Sequence, residues 1–593
     1  EKAIASHVPG ATYRLQFNRQ FTFAQAAAIA DYLRELGITD CYASPLFQAG
    51  PQSTHGYDIC GFDQFNPHLG SARAFEEWSA HLQRLGLGLV LDMVPNHMGN
   101  DLSNSWWLDV LEKGQASPYG SWFDIEWHPL KADLQNKVLL PVLEDHYARV
   151  LEAGKLRLVF ERGGFAIGYY ERQFPVAPHT YSSLLKQVLT RCGQEPQTAV
   201  ILRNLEALVE ALSAWETSGE SARSEFAKVK DQLGQWYQQV PDFRRHLEAT
   251  QTAFNGQAGL PRSFDRLHGL LQQQHYRLAY WRVGPEEINY RRFFDITDLV
   301  SLRMELFPVF AATHQLVFRL LREGKITGLR IDHPDGLWDP KQYCQRLQAG
   351  FGQLITDSGQ AAASSPTPLY VVVEKILTGD EPLPPDWPVA GTTGYDFLNR
   401  LNGLFVNGVN AGAFDQLYEE FTGCPPEFEA LVNRSKKLIL HTSLISELRA
   451  LTHRLKSLAV STRYGQDFTF NQLHTALFEI IAAFPVYRTY VTAETTEVSP
   501  TDRGYILQAV RAAKDWNGAM DKAVLEFIQN LLLLQPPDDL DATEQARCRD
   551  FVLRFQQLTG PVMAKGLEDT AFYNFNRFIS LNEVGGDPGK FGV

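Results

Sequence analysis

An α/β chain built as a (β/α)8 TIM barrel is predicted by three observations. Short apolar runs that read as strands alternate with amphipathic helical stretches over residues 1–98, a succession that favours a parallel sheet with right-handed crossovers. Two later runs, Gly328-Leu329-Arg330-Ile331-Asp332 and Leu369-Tyr370-Val371-Val372-Val373-Glu374, each end in an acid. In such a barrel the strand ends gather on one face, so carboxylates far apart in sequence converge there.

Taken in order, residues 11–17 alternate like a strand, and 23–36 read as an amphipathic helix ended by Gly37. A second strand at 39–44 leads into a Gly-, Pro- and polar-rich loop at 45–61 that carries His55-Gly56-Tyr57-Asp58. Long loops at this end of a barrel hold its binding groups. After a helix at 71–85, the apolar run 87–94 has the character of a strand buried on both faces, and it delivers Asp92, Asn96 and His97.

The rhythm then stops, and 99–323 is expected to be an inserted subdomain of loops and helices. Trp106, Trp107, Trp122 and Trp127 lie in its first part, either as platforms for a flat ligand or as packing. Charged amphipathic helices are expected over 197–275, and a loop returning toward the active face over 281–302. Barrel strands four to six are assigned to 324–398, with a short flexible loop at 361–368 and a sixth strand and its turn at 389–397. The segment 399–578 reads as a second, helical insertion and 579–593 as a return toward the barrel.

The net charge of −13 over 593 residues excludes a basic field that would collect phosphates, so neither nucleic acid nor an anionic membrane is an expected partner. A neutral substrate fits. Six cysteines are scattered without metal spacing and read as free thiols of a reduced compartment. No stretch of eighteen apolar residues occurs, and a soluble, cytoplasmic protein is expected. No carboxylate cluster has calcium-loop spacing, and no metal or other cofactor is expected.

The two strand-end acids match the needs of a retaining glycosidase, which sets two carboxyls about 5 Å apart, one as nucleophile and one as acid/base. Each alone could instead be a helix N-cap. Arg330 lies two residues before Asp332 and shares its side of the strand, where it would keep the carboxylate ionised. Glu374 follows three valines, and a less polar surround would raise its pKa and suit it to donate a proton.

Collected in order, His55-Gly56-Tyr57-Asp58, Asp92 with Asn96-His97, Gly328 to Asp332, and Glu374 resemble the motifs of the α-amylase superfamily. The resemblance implies an α-amylase-type barrel with Asp332 as nucleophile and Glu374 as acid/base. Tyr57, Asp58, His97, Arg330, His333 and Tyr395 would bind substrate, and Asp92 and Asn96 would brace the site from behind. Further stretches, among them Thr12-Tyr13-Arg14-Leu15-Gln16-Phe17, Arg291-Arg292-Phe293-Phe294-Asp295 and Gly566-Leu567-Glu568-Asp569, resemble the maltooligosyltrehalose synthase family. That family rearranges the reducing-end α-1,4 bond of a maltooligosaccharide to an α,α-1,1 bond, and the substrate implied is such an α-1,4-glucan. The groups holding the freed glucose are sought in 287–295, around Tyr395, and in 485–490.

The superfamily also implies a third acid in a His-Asp pair on the seventh strand. No such pair occurs after residue 400. The expectation is therefore a barrel whose last strands are absent from this chain, a missing carboxy-terminal segment, and weak catalysis without it. An amylase-type hydrolase or 4-α-glucanotransferase, and an inactive glucan-binding fragment, are the alternative readings.

Overall fold

The computed structural model describes residues 7–192, 199–213, 221–357 and 368–592. Most of the loop expected at 361–368 lies outside them. The chain folds as two compact units, one of Glu1–Gly99 with Arg291–Val593 and a second of Asn100–Tyr290.

The first unit is organised by six strands: β1 (Thr12–Leu15), β2 (Asp40–Ala43), β3 (Gly88–Met93), β4 (Gly328–Ile331), β5 (Tyr370–Val373) and β6 (Gly391–Thr392). They pair side by side in sequence order, all parallel. Sequential order is the topology of a winding barrel sheet, since a doubly wound sheet reverses its order midway. Every residue of β3 is buried, as expected of a strand covered on both faces. Register then decides which side chains meet. Arg330 pairs with Asp92 on one side and Val372 on the other, so period-two alternation sets Asp332 and Glu374 next to each other one step further along.

Helices pack against this sheet. Ala72–Leu85 starts at Ser71, whose hydroxyl accepts the Ala74 N–H, and ends at Gly86 in the left-handed conformation. Its buried face carries Phe75, Trp78 and Leu82, and the two rings join Phe17 and Phe23 in an aromatic core. The single helix expected at 23–36 is two, Phe23–Ala28 and Ala30–Glu35, broken at Ile29 with φ −102° and ψ 0°. The returning loop expected at 281–302 is a hairpin in its second half: Arg292–Phe293 pairs with Ile296–Ser301, which pairs antiparallel with His97–Gly99. Beyond β6 the chain is helical. It culminates in Ala542–Met563, which continues as a π-helical turn over Ala564–Ala571. Pro561 lies just before that turn and supplies no N–H, a local reason for the ladder to change step.

The second unit contains sheet where only loops and helices are expected from the sequence. Leu156–Glu161, Gly164–Tyr169 and Arg172–Pro175 form an antiparallel meander, and Val138–Leu143 pairs parallel with Tyr276–Tyr280. The first hairpin turns at Arg162 and Gly163, both with positive φ, as a tight two-residue turn requires. Long amphipathic helices, including Ser221–Gln239 and Pro241–Phe254, complete the unit.

Five cysteines, Cys41, Cys60, Cys344, Cys424 and Cys548, are free thiols. Among the described residues no helix is long and apolar enough to cross a membrane, and no group of three or more His, Cys, Asp or Glu could hold a metal ion.

Candidate active site

Arg330 is the centre of the strand-end cluster. Its Nη1 donates to Asp92 Oδ1 at 2.9 Å and to Asp332 Oδ1 at 2.7 Å, while Nη2 lies 3.1 Å from Glu374 Oε1. One guanidinium thus serves three carboxylates from three adjacent strands. Burial alone would lower the Arg330 pKa, but Asp92, Glu374 and Asp332 together raise it, so the cation is permanent. Burial, and then the Glu374 charge, push the Asp332 carboxyl well above the ordinary carboxylate range against the pull of Arg330. Asp332 is thus the carboxyl of this cluster whose charged form is disfavoured by its surroundings. The apolar surround expected for Glu374 is not found. Besides Arg330 it accepts the His333 N–H on Oε2 at 3.0 Å, and it is the more open of the pair, 23% exposed against 9% for Asp332.

Asp92 braces the cluster from behind, wholly buried. Its Oδ2 accepts the Tyr57 hydroxyl at 2.6 Å and the Tyr42 hydroxyl at 2.9 Å. Tyr57 also accepts Arg14 Nη2 at 2.9 Å, so the phenol is held at two points and its ring orientation is set. Asn96 Oδ1 accepts Arg291 Nη1 at 2.9 Å and lies against Gly336, where an added Cβ would come within 2.5 Å of that oxygen. The loop after Asp332 therefore needs glycine at that position. His97 is buried, and burial followed by the neighbouring His333 lowers its imidazole to about 3, so it is neutral. Its Nε2 has no hydrogen-bond partner among the described residues, although the ring packs on Phe293 at 4.4 Å.

The cavity at the strand ends has a volume of about 800 Å³, large enough to hold a small-molecule ligand. Tyr57, Asp58, His97, Arg330, Asp332, Glu374 and Tyr395 all line it. Tyr395 reaches it as the first residue of the helix Tyr395–Gly403. Asp58 is held by the Ser53 hydroxyl. His333 does not line the cavity: its ring packs edge-on against Phe293 and Phe294 while its backbone N–H serves Glu374.

Several lining residues are not among those the sequence motifs single out. Arg14 and Tyr42 line the cavity, and their place on the strand face shared with Asp92 is a usable signal. Ile296, Asp298 and Leu299 enter from the hairpin, which period alone does not reveal. Of the segments sought for glucose binding, Phe293 and Tyr395 line the cavity, whereas Tyr487, Arg488 and Tyr490 do not. Glu287 pairs with Lys131 inside the second unit. In that unit Trp107 is 1% exposed, packed on Phe123 and Tyr290, and Trp127 donates its Nε1–H to the Gly120 carbonyl. Trp106 and Trp122 pack with Tyr119. For Trp107 and Trp127 the platform alternative is thereby corrected to packing, because their faces are covered by protein.

Comparison with known proteins finds similarity along the chain as a whole. Residues 28–149 match the family model of the α-amylase catalytic domain. A putative maltooligosyl trehalose synthase of Mycobacterium tuberculosis is 30% identical over 589 residues, which is 98% of this chain and 59% of the relative. The solved structure of maltooligosyltrehalose synthase from Arthrobacter ramosus superposes with a TM-score of 0.71 at 31% identity, covering 99% of this chain and 59% of that one. An intracellular maltogenic amylase of Bacillus subtilis is 35% identical, but over only 103 residues, 17% of each chain. This chain thus spans 59% of the length of each of these two maltooligosyl trehalose synthases. Over nearly all of its residues the chain is similar to the maltooligosyl trehalose synthases, and its parallel sheet is of the α-amylase type.

Proposed function

We propose that the protein is an intramolecular transglucosylase that converts the reducing-end α-1,4 bond of a maltooligosaccharide into an α,α-1,1 bond. The observation that carries this reading is the single guanidinium shared by Asp332 and Glu374 at the wall of one cavity. Similarity to maltooligosyl trehalose synthases over 98% of the chain supports it.

In this reading Glu374 gives its proton to the oxygen between the last two glucose units as the Asp332 carboxylate attacks the anomeric carbon. The glycosidic bond breaks, the sugar chain is esterified to Asp332, and the terminal glucose leaves with the proton. Glu374, now a base, takes the proton of that glucose's anomeric hydroxyl, whose oxygen attacks the esterified carbon and releases Asp332. The pair enters the reaction with one proton. Positive charge developing at the anomeric carbon beside Asp332 favours placing that proton on Glu374, the more open partner. Tyr57 offers its ring to the sugar under attack, held by Asp92 and Arg14, while Asp58 and His97 take its hydroxyls. Tyr395 stands on the side of the departing glucose. His333 supports Glu374 through its backbone N–H, and Asn96 braces the loop after Asp332.

Water competes with the freed glucose for the intermediate. A glucose retained against it has an effective concentration far above any free solute, and a covered cavity excludes water. The six strands are in this reading the first six of a (β/α)8 barrel, with 99–323 inserted after the third and 399–578 after the sixth. The third acid of such enzymes is expected on a seventh strand, outside the six described.

The test is incubation with maltopentaose while reducing ends and free glucose are both followed. Reducing power that falls without matching glucose release is the expected result. Rising reducing power would assign the site to hydrolysis instead.

A further inference from the structure

Behind the carboxylate pair, the loops leaving β4 and β5 are tied together by a buried ion cluster. Lys375 directly follows Glu374, and its side chain is wholly buried. Its ammonium donates to the Ile376 carbonyl at 2.7 Å and lies 2.9 Å from Glu381 Oε1 and 3.4 Å from Asp335 Oδ2. Asp335 belongs to the turn after Asp332. Its other oxygen accepts the Tyr490 hydroxyl at 2.6 Å. The rings of Tyr487 and Tyr490 lie 5.3 and 5.8 Å from the ammonium, within cation–π reach. Arg488, also buried, donates to the carbonyls of Asp335 at 2.9 Å and Leu337 at 2.6 Å.

Stability alone does not account for this arrangement. Desolvating two carboxylates and an ammonium costs more than packing hydrocarbon in the same space, so a buried ion cluster is weak evidence for a stabilising role. Its location is more informative. It joins the residue after Glu374 to the turn after Asp332, and none of its members lines the cavity. That turn begins with His333 in the left-handed conformation, φ 44° and ψ 56°, which a residue with a Cβ adopts only when its surroundings hold it there. The same conformation accompanies the His333 N–H that supports Glu374. Releasing the turn would loosen both acids together.

We propose that Lys375 is a positioning residue, which through Asp335 and Glu381 fixes the spacing and orientation of Asp332 relative to Glu374. The inference rests on the reading of that pair as nucleophile and acid/base, and it adds a residue that touches neither sugar nor reacting atom. The segment carrying Tyr487, Arg488 and Tyr490 becomes the outer wall of the clamp.

The test compares the full chain with its Lys375→Met/Glu381→Gln variant, which removes the ammonium and its nearest carboxylate together and leaves Asp335 its Tyr490 partner. Substrate disappearance is followed, so cleavage is counted whichever acceptor takes the sugar. The expected result is a fall in kcat of about 100-fold, the scale of a misplaced reacting group. KM should stay within about twofold, because Tyr57, Asp58 and His97 are untouched. Tyr490→Phe keeps every charge, and should lower kcat by about tenfold, again without moving KM; it decides the matter if the double variant does not fold. A folded variant with unchanged kcat, or one whose KM rises while kcat is kept, would overturn the proposal. A parent chain that hydrolyses maltopentaose rather than rearranging it would overturn the acceptor assigned above but leave the kcat comparison valid. A parent chain that cleaves no glucan would overturn both.

Discussion

At the carboxyl ends of β3, β4 and β5, three carboxylates share one buried guanidinium, and the nearby tyrosines direct their hydroxyls at Asp92. In the unit of Asn100–Tyr290 the large rings face one another instead: Trp107 packs on Phe123 and Tyr290, and Trp106 on Tyr119 and Trp122. The first region concentrates charge where hydrocarbon would be more stable, while the second buries hydrocarbon where open sugar platforms were a possibility. Buried charge with few apolar neighbours marks chemistry; buried rings that satisfy one another mark a core.

The largest expected effect breaks the first region. Asp332→Ala should reduce turnover by about 10⁴-fold or more, as loss of a nucleophile does, with the fold retained by circular dichroism. Retained turnover would mean that the cluster is structural. In the second region, Trp107→Ala should destabilise by about 3–5 kcal/mol, the usual cost of truncating a buried large ring, read as a lower calorimetric melting temperature. Lost glucan affinity at an unchanged melting temperature would return Trp107 to a binding role.

Acid sharpens the contrast. His97 and His314 in the sheet unit are held neutral by burial, to about 3 and about 4, and each ring lies in the interior. Both folded values lie below the ordinary value of 6.5, so the unfolded chain binds the extra protons. Their contribution is present above 6.5 and is lost as pH falls toward 4, at up to about 1.4 kcal/mol per unit for each ring. These two rings should therefore lower the melting temperature between pH 6.5 and 4.5, with the raised Asp332 carboxyl acting in the opposite sense, and replacing His314 with an apolar residue of similar size should reduce the histidine part of that change. The smallest effect is expected for His97→Ala. If His97 binds a sugar hydroxyl as proposed, loss of that neutral hydrogen bond should raise KM by about tenfold with little change in kcat, and a fall confined to kcat would assign His97 to the chemistry.

Much of the first region is legible in sequence because it is local. Two-residue spacing sets Arg330 and Asp332 on one side of β4, and the apolar runs of β3 and β5 announce buried strands. What stays hidden depends on register between strands. Nothing near Arg330 in sequence shows that it meets Asp92, or that it reaches Glu374 and removes the apolar surround expected there. The hairpin bringing Ile296 and Asp298 to the cavity is too short for period to reveal. The alternation of Leu156–Glu161 and Gly164–Tyr169 is readable, with Arg162-Gly163 as its turn, but lies among long helical patterns. The break at Ile29 leaves no Gly or Pro signal in the sequence.

The most direct measurement traps the covalent step. On the proposed assignment, Glu374→Gln lacks the acid that assists an ordinary leaving group, but a maltosyl fluoride needs no such assistance, and the missing base should slow release. Peptide mass spectrometry of the treated variant should find a maltosyl group esterified to the peptide containing Asp332. A sugar on any other residue, or an unlabelled Asp332 peptide while the variant still consumes the fluoride with retention, would contradict the assignment of the strand-end pair.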